Sequence, residues 1–209
     1  MARWHEYRDV ISKLKEIASY VFSQKSLCVA ITCGHEIQSE NRTALTNLLE
    51  HLPTFDIAPR PALITRPSLP SRSFFTLPYS VNYAALTLKG VPYTHPDSAP
   101  LRVLSKLIDQ KRIHPEIREK GGAYGGGARF NPMTGIFSFT SYRDPSFERS
   151  LEIMRDAGRW TTEQKFDEDV LGEMKLSIFK DADSPISVRE EGMREFLLGL
   201  TDDMRQTYV

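Results

Sequence analysis

Charge of one sign is what this sequence conspicuously lacks. Across 209 residues, 27 Lys and Arg are matched by 27 Asp and Glu, so the formal net charge is zero. Proteins that grip nucleic acid through its phosphates carry a basic excess, and there is none here. No uninterrupted apolar run comes near the roughly 20 residues needed to cross a bilayer. Cysteine is scarce: Cys28 and Cys33 are the only two thiols. They lie in SLCVAITC, whose alternation and β-branching predict a strand over Leu27–Thr32. On that strand they point to opposite faces about 17 Å apart, too far to bridge. Two thiols without partners suit a reducing interior. The opening MARWHEYRDV has no apolar stretch, and Glu6, Asp9 and Glu16 break the acid-poor pattern of a transit sequence, so no targeting segment is read there. Repeats and low-complexity tracts are missing as well. What remains is an ordinary soluble composition, 40% hydrophobic and 26% charged, adequate for one substantial core.

Catalytic signatures are equally sparse. The histidines are His5, His35, His51, His95 and His114. No pair has the spacing of His-Glu-x-x-His, of its inverted form His-x-x-Glu-His, or of a Cys/His zinc site, so no metal ligand is assigned in this chain. There is no Gly-x-Ser-x-Gly elbow, and neither cysteine sits in a recognisable nucleophile setting.

Periodicity supplies the elements. Trp4, Tyr7, Ile11, Leu14, Ala18 and Val21 recur at three and four, predicting an amphipathic packing helix. After the strand, a second helix is expected from about Glu40 to His51, with Ser39 as N-cap. Six of the 13 prolines fall between Pro53 and Pro78; lacking N–H donors, they rule out a helix or a central strand. Beyond them, Val81–Leu88 predicts a strand and Ala99–Arg112 a helix that Pro115 ends or kinks. Tyr124–Phe130 and Ile136–Arg143 form a hairpin around a five-residue loop, Asn131–Gly135. Phe147–Trp160, Glu168–Lys180 and Val188–Leu200 each read as helix. Strands mixed with long helices around a central hairpin favour an α+β two-layer sandwich, a mainly antiparallel sheet with helices on one face. The expected organisation is a helix-strand-helix lead-in over 1–52, a proline-rich connection over 53–73 and an α+β domain over 74–209.

One segment is unusual. Five of the 12 glycines lie within seven residues of IREKGGAYGGGARF. A phosphate cradle fails on context, because Gly127 is followed by Ala-Arg-Phe and a hairpin rather than by Lys-Ser/Thr and a helix. A glycine-rich strand start lets another backbone approach closely, and in an enzyme cleft that backbone could be a peptide. Arg118 and Tyr124 flank the Gly121-Gly122 turn. Read alone, Arg118 would be a solvated arginine pairing Glu116 or Glu119, and Tyr124 a half-buried strand residue.

REKGGAYGGGA followed by GIFSFTSYRDP resembles the C-terminal half of the presequence-protease family, in the pitrilysin and insulysin superfamily of zinc peptidases. FFTLPYSVNY, GVPYTHPDSAPLRVLSKLI, KLSIFKDADSPI and GMREFLLGLTDDMRQ resemble the same region in the same order, so the likeness covers essentially the whole chain. It implies one part of a protein about five times longer, whose two halves close around a chamber that admits unstructured peptides such as targeting presequences. It implies zinc and a general base in the N-terminal half, which would be this chain's partner, and a location in the mitochondrial or another organelle matrix. It further implies that Arg118 and Tyr124 reach the scissile carbonyl oxygen opposite the zinc, with Gly121, Gly122 and Gly125 lining the peptide's path. Neither nucleic acid nor membrane is an expected partner. The chain stops at Val209, where the family continues with a helix and a closing strand, so a truncated domain is expected, inactive without the zinc-binding half. The alternative is a non-catalytic structural or partner-binding subunit of the same superfamily, which would have no need of Arg118 and Tyr124.

Overall fold

The computed structural model describes residues 4–54 and 72–208, and the chain divides into two compact units, 1–75 and 76–209. The expected proline-rich connection therefore lies largely outside the described residues.

The first unit begins with helix α1 (Trp4–Val21), as its periodicity predicts. Its apolar stripe is exposed rather than packed, Tyr7, Ile11, Leu14 and Val21 included. The Ser26 hydroxyl donates to the Tyr20 and Val21 carbonyls at 2.7 and 2.9 Å, satisfying acceptors that the end of a helix leaves open. Helix α2 (Gln38–Glu50) follows a single 3₁₀ turn, His35–Ile37. Two expectations fail here. Ser39 is not the N-cap: it lies inside α2, and Ile37 occupies the cap position with no side-chain hydrogen bond. The extra turn moves the start of the helix upstream. Leu27–Thr32 is not a strand. Alternation makes a segment fit for a sheet, but a strand exists only when a neighbour takes its N–H and C=O groups, and no described residue pairs with this one. Cys28 is exposed and Cys33 partly so, and both are free thiols. The Gln24 side-chain amide donates to the Leu52 carbonyl at 2.9 Å, tying the end of α1 to the end of α2.

The second unit is an α+β sandwich. Strands β1 (Asn82–Lys89), β2 (Gly125–Asn131) and β3 (Ile136–Asp144) form an antiparallel sheet in the order β1-β3-β2. Along β3, Phe137, Phe139 and Ser141 point inward. Register places Ala128 and Leu86 opposite Phe139, and Phe130 and Leu88 opposite Phe137. The alternate residues form an open face on which Tyr83, Tyr142 and Gly125 share a row. The β2–β3 loop has four residues, 132–135, not five, because Asn131 pairs with Ile136. The Asn131 carboxamide oxygen accepts the Met133 N–H at 3.0 Å in an Asx turn.

Helices cover the inner face. Helix α3 (Ser98–Ile108) runs directly into a π-helical stretch, Asp109–Glu119, with Pro115 inside it. Proline was expected to end or kink the helix, and instead the helix widens. The Lys120 N–H reaches the Pro115 carbonyl at 3.0 Å, a bond spanning five residues. Ile113 and Ile117 on this stretch are fully buried. They join Phe130, Phe137, Phe139, Ile153, Met154 and Ala157 in one core. Each large apolar side chain buried there contributes about 1.5–3 kcal/mol. Helices α4 (Phe147–Glu163) and α5 (Glu168–Ala182) follow, the latter capped by Asp167, which accepts the Val170 N–H at 2.8 Å. The single helix expected over Val188–Leu200 is broken into a 3₁₀ turn at Val188–Glu190, α6 (Met193–Leu198) and, further on, α7 (Asp202–Tyr208). Gly192 and Gly199 have left-handed φ values of 75° and 66° and stop the helix on both sides.

Candidate functional site

The site grows out of the way the π-helical stretch ends. Ile113 and Ile117 anchor one face in the core, so the residues one position later, His114 and Arg118, emerge together on a more exposed face. The stretch is closed by two bonds to backbone carbonyls, Gly122 N–H to Arg118 and Ala123 N–H to Ile117, both 3.1 Å. This is a Schellman cap enlarged by one residue, as a π-helical turn requires. It explains two glycines. A Cβ on Gly121 would lie 2.5 Å from the Ile117 carbonyl oxygen, and Gly122 has a φ of +77°. Gly126 answers a close approach from the core, where a Cβ would meet Ile117 Cγ2 at 3.1 Å. Gly125 has no such reason, since the nearest atom to a Cβ there is Tyr142 Cβ at 4.0 Å on the open face.

Acidic neighbours do not neutralise Arg118. Glu116 is held by Lys120 Nζ at 2.6 Å and Arg149 Nη2 at 3.1 Å, and its backbone carbonyl also accepts Arg149 Nη1 at 2.8 Å. The Lys120 hydrogen bond is the main reason its carboxyl titrates below the usual range. Glu119 faces His114 Nδ1 at 3.2 Å. Arg118 Nη1 lies 3.1 Å from His114 Nε2. Since a guanidinium only donates, Nε2 is the acceptor and Nδ1 carries the proton towards Glu119. The chain Glu119–His114–Arg118 thus aims an arginine whose own charge has no carboxylate partner among the described residues.

Tyr124 is exposed at 68%, not half-buried. Its ring meets Tyr142 edge-on at 5.7 Å, Tyr142 meets Tyr83 at 5.3 Å, and Tyr83 meets Tyr79 at 6.1 Å. The Arg143 guanidinium stands over the Tyr124 ring, 5.9 Å from its centre. A row of four exposed tyrosines therefore crosses the open end of the sheet. Sequence reasoning singled out Tyr124 alone. Tyr83 and Tyr142 had a visible signal, since each occupies an outward position of its alternating strand, but their pairing depends on a register that only the folded sheet defines. His114 carried none, because its role follows from the four-residue alignment with Arg118 on a helix that was expected to stop. Arg118 and Tyr124 do not bond each other. They stand on either side of the glycine cap, both open to solvent. Among the described residues, no group of His, Cys, Asp and Glu is placed to hold a metal ion, so the donor set does not fit a zinc site.

The arrangement can do one thing chemically. A guanidinium and a phenol O–H, both exposed and both contacted by neighbouring side chains, are hydrogen-bond donors open to an acceptor from outside the chain. Residues 72–209 match the family model of the PreP C-terminal domain, and the chain belongs to the presequence protease family. It is 43% identical over 199 residues to the mitochondrial presequence protease of Yarrowia lipolytica, covering 95% of this chain and 20% of that protein. To its counterpart in Gibberella zeae it is 44% identical over 203 residues, with the same coverage of each. To that of Saccharomyces cerevisiae it is 39% identical over 205 residues, covering 95% of this chain and 21% of the relative. The chain thus spans about one-fifth of the length of the curated relatives it matches.

Proposed function

We propose that this chain is the substrate-clasping C-terminal part of a mitochondrial zinc metalloendopeptidase that degrades targeting presequences and other short unstructured peptides. Arg118 and Tyr124 bind the scissile carbonyl oxygen, while zinc and the general base belong to the N-terminal half of the same protease. The observation that carries the reading is the state of Arg118 and Tyr124. Both are exposed on either side of one glycine cap, neither is spent on the core, and each has a side chain set against it, His114 for Arg118 and Arg143 for Tyr124.

Hydrolysis of a peptide bond moves negative charge onto the carbonyl oxygen as water attacks. Arg118 meets that charge with charge-assisted N–H donors and Tyr124 with its O–H. The donors are already placed before the charge appears, so no reorganisation accompanies the step. The open strand position at Gly125 leaves room for peptide beside Tyr124, and Gly121 and Gly122 set the turn that holds the two donors apart. Because the donors stand on a part of the protein separate from the zinc, the site is complete only when the halves close, and closure becomes a gate.

The test places Arg118→Ala and Tyr124→Phe in the intact protease. Each should reduce the single-turnover cleavage rate by about a hundred- to a thousandfold, about 3 kcal/mol of transition-state stabilisation, with peptide affinity little changed. Melting temperature should barely move for Tyr124→Phe. Normal turnover in both variants would refute the reading, as would a loss explained by unfolding. The 209-residue chain alone should hydrolyse no unstructured peptide.

A further inference from the structure

Arg143 is the one non-glycine residue with positive φ among the described residues, at 49°. Its place explains the angle. Asn82 pairs with Asp144 and Tyr83 with Tyr142, so Arg143 is the extra residue of a β-bulge on β3. Glycine normally takes a left-handed position of this kind, because a Cβ there crowds the backbone. The bulge is pinned from the far side by Asp144, 1% exposed. The Asp144 carboxylate accepts the Ser146 N–H at 2.8 Å and its backbone carbonyl accepts Asn82 Nδ2 at 3.1 Å. A strained residue held in place by its surroundings is a sign of use at a site. Here the strain aims the side chain: the guanidinium lies over the Tyr124 ring, while the Arg143 carbonyl accepts the Tyr124 N–H at 3.4 Å. Tyr142, one residue earlier, meets the same ring edge-on. Tyr124 is therefore held by main chain, by cation–π contact and by an aromatic edge, and two of these three come from Arg143.

We infer that Arg143 is a positioning residue for the peptide-cleaving reaction, fixing the ring of Tyr124 so that its hydroxyl meets the scissile carbonyl. The inference rests on the reading of Tyr124 as a donor to that oxygen. A guanidinium attracted to the ring face restricts a side chain that is otherwise free in solvent, and the bulge is the device that turns it there. A donor displaced by a fraction of an ångström loses much of its effect on a reacting atom.

The experiment compares Arg143→Gly, Arg143→Lys and Tyr124→Phe, singly and combined, in the intact protease. Glycine keeps the left-handed backbone and removes the guanidinium, so Arg143→Gly should melt no lower than the parent. Its kcat should fall by about tenfold or more with KM little changed. Arg143→Lys, which keeps a cation for the ring, should recover part of the rate. In a Tyr124→Phe background the glycine change should cost little more, because the hydroxyl it serves is already gone. A second readout does not depend on cleavage: ¹⁹F NMR of 3-fluorotyrosine at position 124 should shift and sharpen towards a freely rotating ring in Arg143→Gly. Unchanged kcat with an unchanged fluorine signal would overturn the inference, and so would an undiminished rate loss in the Tyr124→Phe background. If Tyr124→Phe alone turns over normally, the donor reading is lost, and the positioning role in cleavage with it. The fluorine signal then separates the two failures, reporting whether Arg143 holds the ring at all.

Discussion

Gly121 and Gly125 stand four residues apart and make opposite demands on a side chain. Alanine at 121 would push a Cβ to 2.5 Å from one backbone oxygen and 2.9 Å from another. Backbone cannot swing away as a side-chain tip can, so Gly121→Ala should cost about 1–3 kcal/mol of stability, measurable by chemical denaturation of the chain. At Gly125 the added methyl has room, and Gly125→Ala should leave the melting temperature nearly where it was. If peptide lies against that strand, the same change should raise KM in the intact protease. A stable variant with unaltered KM would remove Gly125 from the peptide's path. The pair separates glycine kept for the chain's own geometry from glycine kept for a visitor, which the run of five could not do as sequence.

At the scale of elements, the seam between the π-helical stretch and β2 rests on Asp109. Its carboxylate accepts the Ala128 N–H at 3.0 Å while partly withdrawn from water. That burial raises its titration point above the ordinary 3.8, and the Ala128 hydrogen bond, Lys106 and His114 offset it only in part. The folded protein then holds this proton more tightly than the unfolded chain does. The ionised group therefore weighs against folding above its folded-state titration point, and that burden disappears as pH falls towards 3.8. Asp109→Asn keeps an acceptor for Ala128 and removes the charge. It should be at least as stable as the parent at neutral pH, with the advantage shrinking in acid. Paired melting curves across that range would check it, and a variant clearly weaker at neutral pH would contradict it. This seam also marks where the sequence stopped being legible. Alternation and three-and-four spacing located β1, the hairpin, α4 and α5, because each buries one face. Pro115 predicts an end or a kink because a proline disrupts an α-helix, whereas a wider turn can absorb it. Gly192 and Gly199 were visible breakers inside an apolar pattern strong enough to read as one helix. Leu27–Thr32 had a strand's pattern, and pattern alone does not supply a partner. The roles proposed for Arg118 and Tyr124 come only through family likeness, and the left-handed backbone of Arg143 has no sign in the sequence at all.

For the whole molecule, every residue of the main core lies in the second unit, between Leu86 and Ala157. Residues 76–209 expressed alone should accordingly retain a cooperative melt and the native near-ultraviolet signature of their packed aromatics. A broad, non-cooperative transition would show that the first unit is needed for folding. Within that unit the proposed donor Tyr124 stands beside one end of the hairpin and the Met133 turn forms the other. From Ile136 to Tyr142 the strand advances by about 20 Å, so the Met133 tip, itself exposed, is remote from Tyr142 yet joined to it by continuous ladder. With Cys28→Ser and Cys33→Ser leaving no competing thiol in this chain, Met133→Cys would carry a dye on the far end of a stiff lever. If the chain closes against a zinc-bearing half, as proposed, a second dye on that half should turn each opening and closing into a change of colour, read one molecule at a time.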